Sequence, residues 1–280
     1  MSAATWVTLT VMYSDWFSPE HAPAAMAWLT VLSGIAQMAS TIGGGWLAET
    51  LGWQAPFIVG AGFGLLGAVL LLGIPEEQRA RRADPRWSRL LAACTTPRLL
   101  IVSVVGALIQ YAFWATTYAF VPVYAHRLGA SRTVLGLLAS GVLVPYTVAA
   151  LAVSRWITRW DAVRTTMIGL ALQAASAAVV PLLHDLLALG LSQAVGGIGR
   201  GLAMPTLLGL SIQTASSSEK ATAMGVFQAV YAVGMVLGPA SAGVVAEALG
   251  LTIAFLLSAL MCLTGLALLA IAKRRDASSW

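Results

Sequence analysis

Gln110, Trp114 and Tyr118 recur every fourth residue inside one long apolar run, and Gln228 and Tyr231 stand three apart inside another. At helical spacing each set falls on one face, with Thr117 and Val121 beside the first and Met235 beside the second. Amides and hydroxyls next to aromatic rings can hydrogen-bond a polar head while stacking on an apolar body. That suits an amphipathic organic solute better than a sugar or an inorganic ion. The same groups could instead hydrogen-bond neighbouring helices. Arg200, in VGGIGRGLAMP, lies about ten residues from the end of its run, on the order of 15 Å deep. A side-chain stem snorkels only part of that distance. Arg200 therefore reads either as an anion-binding or gating arginine or as a packing arginine on helix carbonyls.

Other chemistries lack their groups. There is no H-E-x-x-H spacing, no paired aspartate within a run and no nucleophile elbow, which argues against a membrane-embedded enzyme. Asp15, Glu49 and Glu247 all stand near the ends of runs, so no acid is deep enough to mark a proton-coupling site. No cofactor or metal is expected, and proton coupling is left open. His126, His184 and Asp185 fall at run edges and read as surface residues. Cys94 and Cys262 are too few and too scattered for a disulfide framework or a metal site.

The runs that carry these residues define the class. Of 280 residues, 59% are hydrophobic and 10% charged, against roughly a quarter charged in soluble domains. The solvent for most of the chain must be lipid. The formal charge of +5 is spread as short clusters between apolar runs, with no basic face, which excludes a nucleic-acid partner. Runs near 24–48, 54–74, 99–124, 133–154, 163–183, 186–210, 221–247 and 251–272 each reach the roughly 20 residues a spanning helix needs. Backbone groups cannot stay unpaired in hydrocarbon, and runs this continuous exclude the alternating strands of a barrel. The expected fold is an all-α polytopic bundle of about eight complete transmembrane helices. Residues 3–13 are apolar over about half a span, and no signal-peptide pattern is apparent in them.

Lys and Arg set the direction. Arg79, Arg81, Arg82, Arg86, Arg89 and Arg98 share one side with Arg155, Arg159, Arg164, Lys220, Lys273, Arg274 and Arg275; the other side carries only Arg127 and Arg132. The basic side is cytoplasmic by the positive-inside rule, so the C-terminus is inside a plasma (inner) membrane. Trp16, Trp156 and Trp160 fall at the inner interface and Trp46 and Trp53 at the outer one. The polar stretch 75–98 reads as a linker or as a basic segment lying on anionic lipid.

Small residues point to seams. Gly60/Gly64, Gly197/Gly201 and Gly234/Gly238 have the four-residue spacing that lets helix backbones approach closely in lipid, and Pro239 would permit a bend beside the last pair. The chain also repeats itself. IAQMASTIGGGWLAETLG (35–52) aligns with VGMVLGPASAGVVAEALG (233–250), sharing Gly45/Gly243, Ala48/Ala246, Glu49/Glu247, Leu51/Leu249 and Gly52/Gly250. The likeness extends to a whole hairpin at 18–74 and again at 217–272. Parallel repeats about an axis along the membrane normal build one large class of secondary transporter.

With SDWFSPE before a span, IGGGWLAETLGWQAPF at its end, IPEE before a basic loop and GPASAG in the repeat, the chain resembles the major facilitator superfamily. The resemblance implies that 24–48 and 54–74 correspond to the fifth and sixth of that family's twelve helices, and 99–272 to the seventh through twelfth. It implies an N-terminally truncated member lacking the first three helices and most of the fourth. Residues 1–74 would be the remnant of the first half, 75–98 the central linker, 99–273 the six-helix second half and 274–280 a cytoplasmic tail. Gly44, Gly45, Gly234, Gly238, Pro239 and Gly243 match the family's glycine motifs, with Ser40 and Thr41 standing where Gly-Pro is usual. Arg159 and Arg164 match the basic cytoplasmic signature between the eighth and ninth helices. The implied activity is alternating-access transport of a small amphipathic solute, efflux being favoured over uptake. Gln110, Trp114, Tyr118, Arg200, Gln228 and Tyr231 would line the cavity. Since alternating access needs two halves, residues 1–280 alone are expected not to transport; an inactive fragment is the alternative. Nothing in the sequence fixes an oligomeric state.

Overall fold

The computed structural model describes residues 22–73, 96–156, 161–212 and 220–275. Residues 3–13, the linker 75–95 and Arg159 lie outside them. Every long element among the described residues is a helix. Helices α1 (Ala22–Thr50) and α2 (Ala55–Leu72) form the first hairpin. The next span is composite: α3 (Pro97–Phe113), a π-helical stretch (Trp114–Phe120) and α4 (Val121–Arg127). There follow α5 (Arg132–Trp156), α6 (Ala162–Val179), α7 (Leu186–Ile212), α8 (Lys220–Leu249) and α9 (Leu251–Arg275). Seven of these spans meet length and apolarity limits for crossing a membrane; α1, 29 residues long, is the eighth helix.

Helices α3 to α9 are arranged as two triplets. Helix α3 packs against α8 and α9, and α7 packs between α5 and α6; α9–α6 and α3–α7 contacts join the triplets. The core between them contains Val102, Val105, Ile109, Leu170, Leu207 and Phe227, all fully buried. Threonines and serines that would be costly in lipid are paired across helices, as in Thr166–Thr206 at 2.7 Å and Ser176 Oγ to Ser192 O at 2.7 Å. Such contacts average about 0.6 kcal/mol in membrane bundles, so they specify register more than they stabilise.

The repeated Leu-Gly has a conformational reason. Gly52 and Gly250 close α1 and α8 with φ of 94° and 91°, the left-handed region that a side chain disfavours at a helix C-terminus. Both hairpins therefore turn by the same device.

Helix α1 docks on α5, the principal link between the first hairpin and the remaining helices. Their backbones touch through small residues. A methyl at Gly45 would come 2.6 Å from the Arg132 carbonyl oxygen, and one at Gly136 would fall on the Thr41 carbonyl. Polar groups then cap each helix with the other. Arg132 donates to the Ala48 carbonyl at 2.5 Å, near the C-terminus of α1. Glu49 accepts from the Thr133 backbone N–H at 2.8 Å and hydroxyl at 2.5 Å, at the N-terminus of α5. Each charge meets the helix end whose dipole favours it. Thr41 and Ser140 share a 2.5 Å hydrogen bond on the same seam. By contrast α2 packs chiefly on α1 and has no buried residue. The Gly60/Gly64 pair expected to form a seam meets nothing within 4 Å.

Candidate functional site

Arg200 sits roughly midway along α7, on the order of 20 Å from either end. Its Nη2 donates to Gln110 Oε1 at 3.2 Å, and its guanidinium carbon lies 3.8 Å from the Phe113 ring centroid and 5.0 Å from that of Tyr146. Stacking on aromatic faces is the usual refuge of a desolvated guanidinium, worth about 2 kcal/mol when water is excluded. Gln110, 3% exposed, is fixed from the α3 side. Beside it, Gln173 on α6 donates to the Ile109 carbonyl at 3.1 Å.

The rings continue from Phe113 into the π-helical stretch. Tyr118 lies 5.3 Å from Phe113, edge-on, and 5.0 Å from Trp114. From α1, Gln37 donates to the hydroxyl of Tyr118 in the π-helical stretch at 3.4 Å. On α8, Tyr231 stands 5.3 Å from Phe227, and both rest on Gly106, one turn before Gln110. Five elements thus meet at one seam: α1, α3 with its π segment, α5, α7 and α8.

The π-helix re-aims the expected face. Pro122 lacks an N–H, and its ring would crowd the carbonyl four residues back at Tyr118. Wider turns ahead of it relieve that clash, and such turns recur at functional sites. The α-helical spacing that grouped Thr117 and Val121 with Tyr118 therefore fails. Thr117 and Val121 are buried and line a separate cavity with Leu138, Val142 and Gln193, of about 10 Å³, room for one water molecule. There Thr117 donates to Gln193 Oε1 at 3.1 Å.

Gln228 is half-buried on α8, and its side chain makes no hydrogen bond among the described residues. Gly234 and Gly238 lie where α8 crosses α3: a methyl at Gly234 would fall on the Ala107 carbonyl oxygen, and one at Gly238 would come 2.5 Å from that of Tyr111. Gly197 and Gly201 approach the Val142 and Tyr146 carbonyls of α5 in the same way. Gly44 and Gly243 have open space beside them, and Pro239 is half-buried within α8. Arg164 lies in the first turn of α6, exposed, 3.5 Å from Asp161. Asp161 caps α6 by accepting from Val163 and Arg164, and Lys273 of α9 binds the same carboxylate. Phe113 and Tyr146 carry no signal in the sequence, because aromatic rings inside apolar runs look like ordinary lining; Gln37, midway along α1, is an amide inside an apolar run. Gln193 and Gln173 were visible there as amides inside apolar runs.

Comparison with known proteins agrees with this architecture. The sequence pattern of the Major Facilitator Superfamily matches residues 1–126 and 102–279, one match for each hairpin-bearing region. An MFS-type efflux pump of Mycolicibacterium smegmatis is 28% identical over 254 residues, 83% of this chain and 57% of the pump. The quinolone resistance protein NorA of Staphylococcus aureus is 33% identical over 135 residues, 45% of this chain and 32% of NorA. The chain thus spans little more than half the length of the first of these relatives and about a third of the second. Among solved structures, a bacterial homologue of the human lysosomal transporter Spinster, inward-facing and unoccupied, has a TM-score of 0.69 at 17% identity, covering 97% of this chain and 75% of the other. The human organic anion transporter MFSD10 has a TM-score of 0.66 at 20% identity, covering 93% and 66%. With its spans, its repeated hairpin and these matches, the chain is a multi-pass membrane protein and belongs to the Major Facilitator Superfamily.

Proposed function

We propose that the chain serves as the solute-handling part of a secondary transporter that exports a small amphipathic organic compound by alternating access. The observation that carries this reading is Arg200 held at mid-span by Gln110 and two aromatic rings, where five elements meet. An ionisable group at that depth is expensive unless it faces an aqueous path or a ligand. In this reading Gln110, Trp114, Tyr118, Arg200, Gln228 and Tyr231 line the path. The α1–α5 seam closes it on the outer side, and Gly234, Gly238 and Pro239 let α8 move against α3. Residues 1–74 belong to the first half, 75–98 are the linker, 99–273 the second half and 274–280 a tail in the cytoplasm. The protein lies in the plasma membrane, and the efflux pumps among its relatives favour export over import.

The test reconstitutes the 280-residue chain in nanodiscs and in inverted vesicles with a panel of fluorescent amphipathic compounds. Saturable binding above empty discs is expected of the solute-handling part, and accumulation in energised vesicles would show that residues 1–280 also move the solute. Binding without accumulation favours the alternative, a fragment that holds solute but does not move it. No saturable binding of any compound would overturn the reading.

A further inference from the structure

The charges around the seam are one-sided. The acidic residues among the described ones are Glu49, Asp161, Asp185 and Glu247, and each stands at or next to a helix end. Arg200 therefore has no carboxylate at its depth among the described residues. Its hydrogen-bond partner, Gln110, is neutral, and the rings of Phe113 and Tyr146 supply only quadrupoles. Removing a guanidinium from water costs several kcal/mol, more than one neutral amide and two rings return.

The unmet hydrogen bonds point the same way. The buried Nε of Arg200 and the buried indole Nε1 of Trp114 are both donors, and neither has an acceptor among the described residues. Arg200 lies over Phe113, Trp114 lies beside Tyr118, and the Phe113 and Tyr118 rings touch edge-on, so the two donors stand at opposite ends of one aromatic pair. A site with a fixed positive charge and spare donors lacks a negatively charged acceptor, and Arg is the side chain suited to planar oxyanions. A site walled by Phe113, Trp114, Tyr118, Tyr146 and Tyr231 lacks a flat apolar body. A cationic solute would instead meet Arg200 with no acid to offset it.

From this juxtaposition we propose that the seam binds amphipathic organic anions, an aromatic body bearing one carboxylate or sulfonate, with Arg200 as counter-charge and the Trp114 indole as a second donor. The proposal rests on the solute-carrier reading above and adds the sign of the solute.

Three isosteric probes separate the charge from the ring: 2-naphthoate, uncharged 2-naphthamide and cationic 2-naphthylmethylammonium. Each is measured by equilibrium dialysis against the full chain in phosphatidylcholine nanodiscs, with empty discs as the correction for lipid partitioning. Naphthoate is expected to bind at least tenfold tighter than naphthamide, and the ammonium weakest. Arg200→Gln should lower naphthoate affinity at least tenfold and leave naphthamide within a few-fold. Trp114→Phe, which keeps a ring and loses only the donor, should weaken naphthoate several-fold and naphthamide little. The ranking in the unaltered chain needs no variant to fold. Equal binding of naphthoate and naphthamide, or tighter binding of the ammonium, overturns the anion assignment while leaving a solute site. A naphthoate preference that survives Arg200→Gln overturns the role of Arg200. Retention of none of the three overturns both this proposal and the reading it rests on. Anion preference without accumulation in vesicles sinks only the transport reading.

Discussion

At Gly234 the α8 backbone lies against the Ala107 carbonyl of α3, and a single methyl group has no room. The obstacle is backbone rather than a movable side chain, so Gly234→Ala must push the two helices apart. Overpacking of that kind costs about 1–3 kcal/mol. Gly243, its neighbour in the same repeat copy, has nothing within 4 Å, so Gly243→Ala should leave stability unchanged or slightly raised through helix propensity. Thermal unfolding of the two variants, followed by size-exclusion of the detergent-solubilised chain, checks the contrast; equal midpoints would contradict the α3–α8 geometry. The four-residue spacing of glycines was readable in the sequence, but which glycines meet a neighbour was not. Gly60/Gly64 and Gly234/Gly238 share one pattern and differ only in whether a helix lies across them.

Helix ends are tied by charges that serve two elements at once. On the α1–α5 seam, Glu49 caps α5 and Arg132 caps α1. Cysteines replacing Thr41 and Ser140, whose hydroxyls are 2.5 Å apart, should cross-link under mild oxidation, and adding Glu49→Ala should slow that cross-link. An unchanged rate would mean that the glutamate does not hold the seam shut. On the other side of the bundle, Asp161 joins the start of α6 to the end of α9. Partial desolvation pushes its carboxyl upward, but the Lys273 hydrogen bond, the backbone N–H groups of Arg164 and Val163 and the Lys273 charge outweigh it, holding Asp161 below the ordinary aspartate value. A lowered folded-state pKa contributes stability above the unfolded value, lost as pH falls through the folded one. Asp161→Ala, which removes a cap worth about 1 kcal/mol, should therefore lower the unfolding midpoint at neutral pH. The gap should close below about pH 4; a gap that persists in acid would rule out the charged form as its source. Span positions were legible because lipid forces helices wherever apolar runs are long enough. The π-helix was not. Helical spacing assigned Thr117 and Val121 to the Tyr118 face, and only Pro122 hinted that the turn would widen there.

Across the whole molecule, the repeated hairpin, the paired turn glycines and the two family matches describe a Major Facilitator Superfamily chain whose first hairpin docks through α1 on α5. Its polar residues are distributed accordingly, with exposed apolar side chains such as Val233, Val236 and Val244 along the outer face of α8 and Gln110, Arg200 and Tyr231 at the inner seam. The aromatic-amide faces were legible as separate stripes. Their meeting at Arg200 was not, because it depends on how α3, α7 and α8 cross. The central claim is that this seam opens to water as a solute path and is more than interhelical packing. It is tested most directly by placing single cysteines at Tyr118, Tyr231 and, as the lipid-facing reference, Val236, in a chain with Cys94→Ser and Cys262→Ala. A charged, membrane-impermeant methanethiosulfonate is then applied to inside-out vesicles. The account predicts rapid modification at positions 118 and 231, slowed by 2-naphthoate, and none at 236; positions 118 and 231 as unreactive as 236 would contradict it.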